Sequence, residues 1–144
     1  VLDPDTGRLI AGARTVDGRR LADTRRALLA GDLPRPLLAG TNTTLAVIAT
    51  DATLTKPQAQ RLAQAGHDGL ARSINPVHTM SDGDTVFALA TGLAPIPSPG
   101  MMVLATMAAE ATARAVLQAV WAAESLRCGV LDLPCARALA STPD

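Results

Sequence analysis

Two uninterrupted apolar runs constrain this chain more than anything else in it. Residues 44–50 contain Leu45-Ala46-Val47-Ile48-Ala49, and residues 85–91 contain Val86-Phe87-Ala88-Leu89-Ala90. Neither run alternates apolar with polar residues, so each reads as a strand covered on both faces. Helical stretches are available to cover one face. The other face then needs a further layer, for which a second sheet is the natural candidate. The expected class is therefore α+β, as an α-β-β-α sandwich of four layers to which this chain contributes the C-terminal part. A doubly wound parallel sheet is the alternative, and the absence of a Gly-rich phosphate loop after either strand argues against it.

The spacing predicts two longer helices. Residues 58–73 follow an N-cap at Thr55 and a first-turn Pro57, with Ala59, Leu62, Ala63, Leu70 and Ala71 forming a stripe that Gly66 and Gly69 weaken. A Pro-rich loop over residues 95–100 leads into a helix from Met101 to about Arg127. Ala108, Ala111, Ala115, Ala119 and Ala122 give that helix a small-residue face for close approach to a sheet, and Glu110 with Arg114 forms an i,i+4 pair on its wetter side. Residues 1–16 read as a hairpin, Asp17-Gly18 as a turn and residues 21–29 as a short helix, before Gly31, Pro34, Pro36 and Gly40 break the chain. Residues 19–42 fit an ordinary surface loop, or a mobile run-up to a cleavage point.

With 144 residues and 48% hydrophobic residues, the chain is one domain by length with material for a real core. Thirteen basic and 13 acidic residues balance, which excludes a broad basic surface for nucleic acid. Phe87 and Trp121 are its only aromatics, too few for a stacking platform. Cys128 and Cys135 lack metal-ligand spacing and read as reduced thiols of a cytoplasmic protein, with no metal and no cofactor expected. Glu110 and Arg114 near the middle of the longest apolar segment argue against a membrane span. The chain opens at Val1 directly into a hairpin pattern, so it is expected to be the C-terminal portion of a longer polypeptide.

Chemistry concentrates at two places. A mid-chain hydroxyl is a poor nucleophile because nothing adjacent takes its proton. Scission of Asn42–Thr43 would give Thr43 a free α-amine beside its own Oγ, and that amine would be the general base. An α-amine titrates near pKa ~7.7–8.0, so much of it is unprotonated at neutral pH. Against this stand two plainer readings: Thr43 and Thr44 favour strands as β-branched residues, and Asn42-Thr43-Thr44 is a glycosylation sequon. Asp82-Gly83-Asp84 alone reads as a tight turn in which Gly83 supplies a positive φ. If the two strands are parallel neighbours, however, Thr43, Asp82 and Asp84 meet at one sheet edge, where carboxylates can orient an amine or hold its ammonium form. His78 is a supporting candidate; His67 reads as a packing or surface residue.

At these residues the chain resembles the self-cleaving hydrolases that include L-aminopeptidase/D-esterases, β-aminopeptidases and the nylon-oligomer (6-aminohexanoate-oligomer) endohydrolase. The resemblance lies in Asn42-Thr43-Thr44 with Ala49-Thr50-Asp51-Ala52, in Ala65-Gly66-His67-Asp68-Gly69-Leu70-Ala71-Arg72, and in Pro76-Val77-His78-Thr79 leading into residues 82–92. Asp3-Pro4 and Gly12-Ala13-Arg14-Thr15 also fit. The Asn-Thr junction is most similar to the nylon-oligomer branch, since the aminopeptidase branch typically cuts before Ser. The resemblance implies an N-terminal-nucleophile fold, autoproteolysis into two subunits, a higher-order oligomer, and Lys and Asn groups upstream of Val1.

The expectation is thus an amide hydrolase with Thr43 as nucleophile and Asp82 and Asp84 as its orienting carboxylates. Thr44 and His78 support them, and the oxyanion donors lie in the upstream part. Residues 1–42 would end the upstream subunit and residues 43–144 would form the nucleophile-bearing one. Its partners would be a small amide or peptide substrate, the upstream portion of the same precursor, and further copies of itself, with neither nucleic acid nor membrane. An acyltransferase of the same architecture and a non-catalytic assembly subunit are the alternatives.

Overall fold

The computed structural model describes residues 1–32, 42–129 and 131–140, and residues 33–41 of the 19–42 run-up lie outside them. The elements are α1 (Thr24–Leu29), β1 (Leu45–Ala52), α2 (Lys56–Ser73), β2 (Thr85–Ala94), α3 (Met101–Ala122), β3 (Leu126–Cys128), β4 (Leu131–Leu133) and α4 (Ala136–Ala140). The class is mixed α/β. Strands β1 and β2 are parallel neighbours, with Leu45 opposite Thr85, Val47 opposite Phe87 and Ile48 opposite Ala88. A parallel pair needs a crossover, and α2 supplies it. That helix starts where the residues say it should: the Gln58 side chain accepts from the Thr55 N–H at 2.8 Å, with Pro57 in the first turn.

One face of the sheet is closed by helices. Ala52, Leu62, Ala65, Leu104 and Ala108 form the core, with Ile48 and Ala88 packed against it from the strands. The buried positions of α2 include Gly66 and Gly69, which the periodicity treats as defects of the stripe. They are the contact itself. A Cβ on Gly66 would lie 2.7 Å from both Ile48 Cδ1 and Val86 Cγ1; one on Gly69 would lie 2.4 Å from the Ala109 carbonyl oxygen. The missing side chains let α2 seat against the sheet on one side and against α3 on the other. Ala71 is exposed instead.

Helix α3 differs from expectation in two ways. Its buried residues are Leu104, Ala108, Thr112 and Ala113, so it packs chiefly on α2. Ala111, Ala115 and Ala119 line a cleft of about 510 Å³ beside β1 rather than touching the sheet closely. It also ends at Ala122, with Ala123 extended. Leu126 and Arg127 have good helix propensity and no breaker precedes them, but they join an antiparallel hairpin with Leu131–Leu133 that turns at Gly129 (φ 57°). By length and composition alone α3 is apolar enough to cross a membrane. It carries Glu110, bridged to Arg72 at 3.0 Å and to Arg114 at 2.7 Å.

The opening segment forms two antiparallel bridges, Leu2 with Leu9 and Arg14 with Leu21, rather than one continuous hairpin. Asp17-Gly18 turns inside the second, where the Gly18 N–H donates to the Thr15 carbonyl at 2.8 Å. Leu2 N–H donates to the Ser73 carbonyl at 2.8 Å, tying this segment to the end of α2.

The second face of the sheet is bare among the described residues. Leu45, Val47, Phe87 and Leu89 point the same way and remain 57–71% exposed. The double coverage expected of both strands is therefore only half present among the described residues.

Candidate active site

Parallel pairing brings the lead-in residues of β1 and β2 together at one edge of the sheet. The ladder extends beyond the strands, where Asn42 bridges Asp82 in parallel. Gly83 N–H donates to the Asn42 carbonyl at 2.7 Å, and Thr85 N–H donates to the Thr44 carbonyl at 2.9 Å. Both ends of the Asn42-Thr43-Thr44 segment are thus held against the Asp82-Gly83-Asp84 turn. Between them sits Thr43, exposed. In this continuous chain its nitrogen is a peptide nitrogen.

The two carboxylates do different things. Asp84 is nearly buried, its side chain 7% exposed. One of its oxygens accepts from the Thr44 N–H at 2.9 Å, and the other lies 3.1 Å from His78 Nδ1. The carboxylate is therefore fixed one residue from Thr43. Asp82 turns toward its own loop: its Oδ2 accepts from the Thr79 N–H at 2.7 Å while its N–H donates to the Thr79 carbonyl at 3.0 Å. It shapes the turn that delivers Asp84.

His78 adopts φ 55°, a left-handed conformation uncommon for a residue with a side chain. This bend directs its imidazole toward Asp84. The other face of the story is His67, whose ring meets His78 edge-on at a centroid distance of 4.9 Å. His67 packs, as its helical position suggests, and what it packs is the imidazole next to the buried carboxylate. Among the described residues no three His, Cys, Asp or Glu side chains converge as a metal site.

Gly83 departs from the expected turn chemistry. It is absent from the positive-φ glycines, so left-handed backbone is not why a glycine stands there. A Cβ at this position would lie 2.8 Å from Thr43 Oγ1 and 3.7 Å from the Asn42 carbonyl oxygen. A side chain at this position would crowd the Thr43 hydroxyl. The sequence alone gives Gly83 only a turn role, with a positive φ that the structure does not show, since the partner of a backbone N–H leaves no trace in residue identity. The shared offset of the two strand lead-ins is the one signal that pointed there.

Parts of the chain are similar in sequence to known proteins. A 101-residue stretch is 50% identical to an uncharacterized aminopeptidase of Mycobacterium leprae, covering 62% of this chain and 28% of that protein. Over 91 residues it is 48% identical to an uncharacterized aminopeptidase of Mycobacterium tuberculosis, covering 55% of this chain and 26% of the relative. A 6-aminohexanoate-oligomer endohydrolase of Kocuria is 38% identical over 72 residues, covering 49% and 20% respectively. The chain thus matches only about a quarter of the length of these relatives. Identity is higher with the relatives named aminopeptidases than with the endohydrolase, so the leaning toward the nylon-oligomer branch rests on the Asn-Thr junction and not on overall similarity. The sequence profile of peptidase family S58 matches residues 7–130, most of the chain and every residue of the site just described. The chain belongs to peptidase family S58.

Proposed function

We propose that the protein is the nucleophile-bearing part of a self-processing amide hydrolase, activated by scission of its own Asn42–Thr43 bond. One observation carries this reading: the Asp82–Asp84 turn grips the junction from both sides, with Gly83 N–H on the Asn42 carbonyl and the Asp84 carboxylate on the Thr44 N–H. In processing, Thr43 Oγ attacks the Asn42 carbonyl carbon. The Oγ proton goes to the Thr43 nitrogen as the C–N bond breaks, leaving an ester. Water then hydrolyses the ester, releasing Asn42 as a carboxylate and freeing both the Thr43 amine and its hydroxyl.

In turnover the freed amine takes the Oγ proton as Oγ attacks the substrate amide, and hands it to the departing amine. Water resolves the acyl-enzyme. Asp84, held by His78 and Thr44 N–H, is the carboxylate that orients the Thr43 amine and steadies its ammonium form between steps. Asp82 positions Asp84 and adds negative potential for a substrate ammonium. Family membership and relatives named aminopeptidase and oligomer endohydrolase support a linear amide with a free amine, such as a short peptide or an ω-amino-acid oligomer.

The bare sheet face supports a four-layer α-β-β-α sandwich completed by the upstream portion of the same precursor. Covering Leu45, Val47, Phe87 and Leu89 would contribute about 4–8 kcal/mol, at ~1.5–3 kcal/mol per fully buried large apolar side chain and scaled to their present exposure. On this reading residues 1–42 end the upstream subunit, residues 43–144 form the other, and the assembled pair forms a homo-oligomer. We place it in the cytoplasm on its two free thiols, Cys128 and Cys135.

The test is the full-length precursor. Wild type is expected to give two masses, the smaller beginning Thr-Thr-Leu, and to hydrolyse short peptides or 6-aminohexanoate oligomers. Thr43→Ala is expected to stay whole and inactive. A Thr43→Ala protein that splits as wild type does would sink the reading.

A further inference from the structure

We propose that the Gly83 backbone N–H is the oxyanion donor of the self-cleavage step, and that position 83 is glycine to leave the attacking Thr43 hydroxyl its place. The proposal rests on the Thr43 reading above and deepens it. When Thr43 Oγ adds to the Asn42 carbonyl carbon, the carbonyl π electrons move onto the Asn42 oxygen. The charge that grows there must be met by donors already in position. Useful donors stand 2.7–3.1 Å from the developing oxyanion. Gly83 N–H stands 2.7 Å from that oxygen before reaction begins. As the C–N bond breaks the carbonyl re-forms and the proton from Oγ leaves on the Thr43 nitrogen; hydrolysis of the ester consumes one water.

Three features separate this contact from an ordinary ladder bond. It falls on the carbonyl of the bond to be cut, whereas the next bond in the same ladder, Thr85 N–H to Thr44 carbonyl at 2.9 Å, falls on a carbonyl that takes no part. In the parallel register Asp82 pairs with Asn42 and Gly83 falls opposite Thr43, while the Gly83 N–H reaches back to the Asn42 carbonyl, so the donor and the nucleophile approach the same carbonyl without competing for it. The Cα of the donating residue also faces the nucleophile, since a Cβ there would lie 2.8 Å from Thr43 Oγ1. One residue thus supplies the donor and the clearance. Asp84 holds the far side of the junction through Thr44 N–H, which keeps the Asn42 carbonyl aimed at Gly83.

The proposal is tested in the full-length precursor by replacing single backbone N–H groups with ester oxygens. Glycolic acid in place of Gly83 removes the donor and adds no atoms; the α-hydroxy analogue of threonine at Thr85 removes the neighbouring ladder donor. Splitting is followed by intact mass over time, with Thr43→Ala as reference. The ester at 83 is expected to slow splitting by about 10²–10³-fold, the loss typical of one oxyanion donor. The ester at 85 is expected to change it a few-fold at most. Equal slowing at both positions assigns the effect to sheet pairing and overturns the proposal, as does an unslowed ester at 83. In either case an uncut Thr43→Ala leaves the nucleophile reading standing. A Thr43→Ala protein that splits removes both. Gly83→Ala keeps the N–H but crowds the hydroxyl. It is expected to slow splitting in the Thr43 protein and less so beside Thr43→Ser, where no β-methyl restricts rotation of Oγ; wild-type splitting of Gly83→Ala overturns the clearance.

Discussion

The two faces of the β1–β2 sheet are built from equally apolar residues and have opposite fates. Toward the helices, Ile48 and Val86 meet α2 so closely that the contact falls on Gly66, which has no side chain, and Ala88 packs against the same core. Away from them, Leu45, Val47, Phe87 and Leu89 face outward with no covering element among the described residues. One face is fitted to elements of this chain, and the proposed function assigns the other to the upstream portion of the precursor. Apolar content thus says that a face is to be buried. It does not say by what.

The helix layer behind the inner face is tested at Gly69, where α2 meets α3. In the full-length precursor Gly69→Ala gains about 1 kcal/mol of helix propensity. It also drives a methyl to 2.4 Å from the Ala109 carbonyl oxygen, on backbone that cannot rotate away. Overpacking of this kind costs about 1–3 kcal/mol and occasionally more. We expect a net loss, read as a lower denaturation midpoint; an increase in stability would show that α2 and α3 are free to separate.

The outer face is sharpened by Val47→Thr in the same precursor. The two side chains have similar shape and strand preference, so the change reports whether position 47 is dry. Under a second sheet the buried hydroxyl costs about 1–3 kcal/mol, whereas a face left in water gives a change within about 0.5 kcal/mol. We expect the larger loss. Hydrogen exchange at β1 and β2, compared in the precursor and in the isolated 144-residue chain, checks the same point.

The smallest effect belongs to the solvent side of the helix layer. Hydrogen bonds from Arg114 and then Arg72 hold the Glu110 carboxyl below the usual carboxylate range. A depressed folded-state pKa stabilises the fold above the unfolded value, and that contribution fades as pH falls through the folded value. Glu110→Gln should therefore lower the melting temperature slightly at neutral pH, and the difference from wild type should vanish in acid. Both partners are largely in water, so a large loss at neutral pH would mean that α3 is covered in the full protein.

Much of this arrangement was legible from residue order. The β1–α2–β2 succession follows from two apolar runs separated by a capped helix. Once those strands are parallel neighbours, Thr43 and the Asp82-Gly83-Asp84 turn must meet, because each stands just ahead of its strand. The helix stripe was less legible. Gly66 and Gly69 look like interruptions by hydropathy and are the closest contacts by geometry, since hydropathy scores side chains and the contact depends on having none. The end of α3 was misread for a related reason: propensity favours helix through Arg127, while hairpin pairing around Gly129 decides otherwise.

What residue order determined by itself is the β1–α2–β2–α3 succession and the demand that both sheet faces be buried, consequences of local propensity and the cost of leaving apolar surface in water. Tertiary structure alone decided that the Asp84 carboxylate and not that of Asp82 is bonded to the Asn42-Thr43-Thr44 segment, that His78 bends to hold it, and that Gly83 directs its N–H at the Asn42 carbonyl. Those outcomes depend on ångström-scale register between segments forty residues apart, and no one-dimensional pattern carries a distance.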